Sequence, residues 1–222
     1  MNYFMVKRLI LKDWHFQRWP ITGLLAGGIV AILLMAHRGN GFFYAGTSLL
    51  MTVMIGLGIE LAMATVVNER KGQTLAFIMS LPVSARDYTI AKLLANLLIF
   101  LIPFLALSVG TIGLFWLGGV GGLIPFSAII LGELFVNYCL LLAVALVSES
   151  EGWTIAAIVT GNLVFQGFLY FVSHIPSIGR AMWGHQSVWS RAAISLLLAE
   201  LAAILFLLIV TFVLQDRKSD FI

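Results

Sequence analysis

The chain has 222 residues, of which 61% are hydrophobic and only 10% charged, with a net charge of +3. A water-soluble domain carries roughly a quarter charged residues, so there is too little polar surface here to coat a body in water, and lipid must be the solvent for most of the chain. The basic residues stand at the ends of apolar runs and form no stripe, which reads as membrane topology and not as a nucleic-acid surface, and the single cysteine, Cys139, rules out an internal disulfide.

In chain order, residues 1–19 come first. Tyr3, Val6, Ile10 and Trp14 fall at helical spacing on one face, and Lys7, Arg8, Lys12, His15 and Arg18 group on another. That pattern predicts an interfacial helix with its basic face toward lipid phosphates, with Asp13 and Leu11 out of register. A plain basic flank of the first span is the other reading. No cleaved signal peptide is expected, because no short apolar core precedes a small-residue cleavage site.

A bilayer span needs about 20 mostly apolar residues. Six stretches qualify: Pro20–Ala36, Phe42–Val67, Tyr88–Leu117, Ile124–Val147, Trp153–Val172 and Ala192–Leu214. The expected fold is therefore all-α, one polytopic transmembrane domain over residues 1–222. The third span is long and carries Pro103, a site for a kink. With the N-terminus inside, the inner segments hold Lys7, Arg8, Lys12, Arg18, Arg70, Lys71, Arg86, Lys92, Arg217 and Lys218, against Arg38, Arg180 and Arg191 outside. That bias predicts both termini in the cytoplasm of a cell-membrane protein. Small residues allow close helix approach, which gives Gly23, Gly27 and Gly28 a packing role.

Four connections stand out. Residues 68–87 form the longest inner loop. Within it Thr74–Leu81 reads as a short helix with Leu75, Ile78 and Met79 on one face, stopped by Pro82. Ser84 and Asp87 then make a capping-box-like start for the third span. An exposed apolar helix face needs a partner or a membrane surface to cover it. Ser148–Gly152 is a short acidic inner loop bearing Glu149 and Glu151. Residues 173–191, with Trp183 and Trp189, suit short helices at the outer interface, and Gly118–Gly122 reads as a flexible outer turn.

Acids inside spans are the next candidates. A charge at mid-bilayer costs roughly 2.5–3.5 kcal/mol on insertion scales, so Glu60, Glu133 and Glu200 should face protein or water. They are either part of a polar transport path or acids held by neighbouring helices. Asn137 lies one turn after Glu133, and Asn162 and Gln166 repeat that spacing in the fifth span. These amides serve either as interhelical glue or as part of the same path. His174 and His185 are too far apart and too lightly accompanied for a zinc site.

The inner loop carries a family resemblance. Glu69-Arg70-Lys71-Gly72-Gln73-Thr74-Leu75, then Leu81-Pro82-Val83-Ser84, then Ala91-Lys92-Leu93-Leu94 resembles the signature of type-2 ABC exporter permeases, E-R-x-x-G-T-L, L-P-[VL]-[ST] and [GA]-K between the second and third spans. It departs by one residue, since Gln73 separates a glycine and a threonine that the family often has adjacent. The resemblance implies a permease subunit that pairs as a homodimer or with a sister subunit and seats a cytosolic coupling helix on a separate ATP-binding subunit. That partner would hold the ATP and magnesium, and this chain would bind no cofactor or metal and catalyse nothing itself. The partner-binding residues so implied are Glu69, Arg70, Gly72, Thr74, Leu75 and Leu81, Pro82 and Ser84 of the motif, with Phe77, Ile78 and Met79 as apolar anchors. Glu149 and Glu151 of the acidic loop are added to that surface. The absence of a G-x-x-x-x-G-K-[ST] phosphate cradle agrees with this division of labour.

Two other classes stand beside this reading. A substrate-binding membrane subunit of an importer has similar size but does not need the Thr74–Leu81 helix and its proline corner. An intramembrane enzyme needs a Ser–His pair, two Asp or an H-E-x-x-H motif at one depth, and the proposed spans contain neither Asp nor His.

Overall fold

The computed structural model describes residues 3–37, 39–71, 85–148 and 150–216, without the side chains of 3–6, 9, 70–71, 85–89 and 216. The chain is an all-helical, multi-pass membrane protein with six helices long and apolar enough to cross a bilayer. Among the described residues there is no strand. The elements are α1 (Tyr3–Ala36), α2 (Asn40–Ala62), a π-turn (Met63–Val67), α3 (Asn68–Lys71), α4 (Ala85–Leu117), α5 (Leu123–Ser148), α6 (Glu151–His174), α7 (Pro176–Gly179), a 3-10 turn (Ala181–Trp183) and α8 (Arg191–Asp216). The end of the bundle where α1 begins is termed proximal and the opposite end distal.

α2 and α5 form the centre, and α1, α4, α6 and α8 surround them. Leu57 and Leu61 of α2, Ile99 and Phe100 of α4 and Leu142 of α5 are fully buried in one continuous core. The Phe100 ring stacks on Tyr138 with centroids 3.7 Å apart, and also on Phe104 at 5.2 Å. A smaller cluster of Ile129, Val172, Ile178 and Ala193 fastens α6, α7 and α8 to the distal half of α5.

The first helix departs from the expected two segments. α1 is one continuous helix of 34 residues, with Pro20 inside it. At about 1.5 Å per residue it is about 51 Å long, against a hydrocarbon core of about 30 Å. Its proximal turns therefore extend past the span without a break at Trp19. Asp13, which spoils the amphipathic pattern, is 3% exposed and paired with Lys92 inside the protein. α4 is likewise continuous through Pro103.

Glycine placement differs as well. Gly27 and Gly28 do meet neighbours, Val53 and Leu107, but Gly23 has nothing within 4 Å of where a Cβ would stand. The tightest glycine between α1 and α2 is Gly46, where a Cβ would sit 2.6 Å from the Ala31 carbonyl oxygen.

Residues 118–122 are not a free turn. Gly119, at φ 70°, closes α4 with Val120 N–H bonded to Phe115 O and Gly119 N–H to Trp116 O, a Schellman cap. Gly122 N–H then donates to Gly184 O at 2.9 Å, and His185 Nδ1 lies 2.9 Å from Gly119 O. A Cβ on Gly122 would fall 2.0 Å from the Ala181 carbonyl oxygen, so only glycine lets the two distal connections lie backbone to backbone.

Candidate functional site

At the proximal end four charged side chains from three elements meet. Lys92 of α4 donates to Asp13 Oδ2 of α1 at 2.7 Å and reaches Glu69 Oε2 of α3 at 2.7 Å. Lys12 bonds the other Glu69 oxygen and lies 3.5 Å from Asp13 Oδ1. The Lys92 and Asp13 side chains are 1% and 3% exposed, Glu69 is 11% exposed and Lys12 32%. Burying one charge alone would cost several kcal/mol; here two cations and two carboxylates alternate, so each buried charge faces opposite partners.

Local structure aims these groups. The π-turn at Met63–Val67 adds one residue to the helical repeat, which rotates everything after it by about 100°. Glu69, just beyond this turn, reaches Lys12 and Lys92. Thr65, in the turn, shares its hydroxyl between Leu61 O at 2.7 Å and Asn96 Oδ1 at 2.8 Å. Asn96, one turn after Lys92 and completely buried, donates to Lys92 O at 3.0 Å. The Tyr138 hydroxyl on α5 donates to Asn96 O at 2.9 Å. A polar chain thus runs from the ion cluster through α4 to the centre of α5.

Tyr138 also lines a small cavity of about 20 Å³, with Asn137, Asn162 and Met54, room for one water molecule. Asn137 fits there because its amide presses on Gly161, where a Cβ would fall 2.2 Å from Asn137 Oδ1. Met54 and Leu134 are shared with a much larger distal cavity of about 810 Å³. That cavity opens among α2, α4, α5 and the segment around Trp183 and His185.

The span residues expected to form a path separate into two groups. Asn137 and Asn162 come together at the small cavity. Gln166 is exposed on the outer face of α6, and Glu60 and Glu133 are half-buried. Glu200 is 6% exposed and packs against Gly132 of α5, with neither carboxylate oxygen hydrogen-bonded. Among the described residues no group of three or more His, Cys, Asp or Glu is arranged to hold a metal.

The expected partner surface falls largely outside the described residues: Gly72, Thr74, Leu75, Phe77, Ile78, Met79, Leu81, Pro82, Ser84 and Glu149, and the side chain of Arg70. Glu151 stands in the first turn of α6, and Glu69 is engaged with Lys12 and Lys92. Sequence reasoning missed the cluster itself. In the sequence Lys92 reads as a topology signal and as the lysine of the [GA]-K element, and Asp13 only as a flaw in an amphipathic face. A lone acid on a basic helix was the one signal available.

No protein-family model matches this chain, and no curated protein or solved structure matches it.

Proposed function

We propose that this chain is the membrane-spanning permease subunit of an ATP-driven exporter, paired as a homodimer or with a sister subunit and coupled to a separate ABC-type ATP-binding subunit that holds ATP and magnesium. In this reading the proximal end faces the cytoplasm of the cell, both termini are cytoplasmic, and residues 72–84 dock on the ATPase.

The observation that carries the proposal is the ion cluster. Its residues come from both roots of the docking loop, Glu69 before it and Lys92 after it, and from α1. A loop whose two roots are locked to a third helix moves as a unit with that helix. Displacement by a partner would then pass into α1, α2 and α4 together and not dissipate at a hinge. The polar chain Lys92–Asn96–Tyr138 extends this unit to the small cavity, whose Met54 and Leu134 also line the distal cavity, which supports a path in which the distal cavity opens or closes as the proximal end moves. The motif residues Glu69 and Lys92, read from sequence as part of an exporter signature, are the ones the cluster uses.

Purification of the chain from its native membrane under mild detergent tests this. A stoichiometric protein bearing a phosphate-binding loop, with ATP hydrolysis that depends on the chain, is expected. Isolation without any nucleotide-binding partner, in a preparation that still transports, would contradict it.

A further inference from the structure

We infer that the distal cavity is a binding site for the acyl chain of a membrane amphiphile taken from the leaflet at that end. Such binding needs no ATPase and stands whether or not the chain is a permease.

The cavity, about 810 Å³, is of the size that holds small-molecule ligands. Among the described residues no Asp, Glu, Lys or Arg lines it. The three hydroxyls in its deeper wall are spent on their own helices: Thr47 donates to Phe43 O, Thr111 to Leu107 O and Ser127 to Leu123 O. That wall therefore offers no proton to a sugar, a peptide or an ion, and is apolar in effect. Met35, Met51, Met54 and Met182 give it side chains that repack around irregular apolar shapes.

Polarity is confined to the mouth, where His37, Asn40 and His185 stand. Tyr44 and Trp183, 60% and 79% exposed, form part of the rim, and such rings favour headgroup depth. From Asn40 at the mouth to Met54 at the floor is about 21 Å along α2, more than half the thickness of a hydrocarbon core of about 30 Å. An apolar shaft of leaflet depth with a polar mouth at headgroup level matches a tail with its head left outside. A water-soluble cargo would lose its hydrogen bonds in that shaft and find no free hydroxyl donor in its deeper wall to replace them.

The test uses the full chain in nanodiscs, with no ATPase, and a lysophosphatidylcholine carrying a photoreactive group at the end of its chain. Saturable cross-links are expected on Met51, Met54 and Phe115, competed by unlabelled lysophosphatidylcholine and not by phosphocholine alone. Thr47→Trp combined with Ser127→Trp narrows the shaft from α2 and α5. It should cut labelling at those sites by about tenfold, the factor for losing one decade of affinity, and leave labelling of the outward-facing Leu198 and Phe206 unchanged. Should the double variant misfold, the labelled positions in the wild-type chain still decide. Cross-links confined to outward positions such as Leu198, Leu205 and Phe206 would overturn the site. So would competition by phosphocholine alone, which marks a head-group site, or a cavity closed to the probe because a second copy covers it.

Discussion

An ammonium that is 1% exposed, as that of Lys92 is, is tolerated only because Asp13 and Glu69 face it. Removing one member of a buried ion pair leaves an uncompensated charge, at about 3–5 kcal/mol, whereas replacing both members by apolar groups is often neutral. Lys92→Met should therefore destabilise the chain by about 3 kcal/mol. Adding Asp13→Leu to it should recover most of the loss, because Lys12 and Glu69 remain paired. Chemical unfolding in micelles, read as a double-mutant cycle, measures both; equal and additive losses would mean that the cluster stabilises nothing as a unit. Glu200 is the opposite case, a buried acid with no hydrogen-bond partner for its carboxylate. Glu200→Met keeps the volume and removes the unpaired polar group, so unfolding should come later, in the direction that burying apolar in place of unpaired polar atoms dictates. A stable Glu200→Met chain that no longer transports would assign the acid to the path.

At the scale of elements, the helices of this chain were legible because apolar run length alone dictates where a bilayer can be crossed. The expected spans Phe42–Val67, Tyr88–Leu117 and Ile124–Val147 sit within a few residues of α2 with its π-turn, α4 and α5. How those helices touch was less legible. Gly23, Gly27 and Gly28 look alike in sequence, yet only the last two meet a neighbour, and nothing in the sequence marks Gly46 as the close contact between α1 and α2. The difference depends on helix rotation, which a uniformly apolar run does not specify. Gly46→Ala places a methyl 2.6 Å from the Ala31 carbonyl oxygen and must push α1 from α2. Gly23→Ala meets open space and gains helix propensity worth about 1 kcal/mol. Thermal unfolding should rank Gly23→Ala at or above wild type and Gly46→Ala well below it. The reverse order would show that the α1–α2 contact has been wrongly described.

For the whole molecule, the sequence carried the membrane class, the number of crossings and the motif of the proximal loop, but not the linkage between them. Lys92 and Asp13 are 79 positions apart, and no local pattern records that they pair. The same holds for Asn96, Thr65 and Tyr138, polar residues in apolar helices whose partners exist only once three helices have packed. Under the proposed function these features would form one mechanical route: loop roots, ion cluster, polar chain and the small cavity beside Tyr138. Its central claim is that residues 72–84 take up force from a separate ATPase. Phe77→Asp with Ile78→Asp tests that claim most directly, since apolar anchors carry most of an interface's energy and neither residue is a member of the ion cluster or of a span. The measurement is recovery of the ATPase with the affinity-tagged double variant, relative to wild type, from membranes in which both chains insert equally. The account predicts that the variant inserts normally, loses the ATPase and ceases to transport; an ATPase that remains bound, with hydrolysis still coupled to transport, would contradict it.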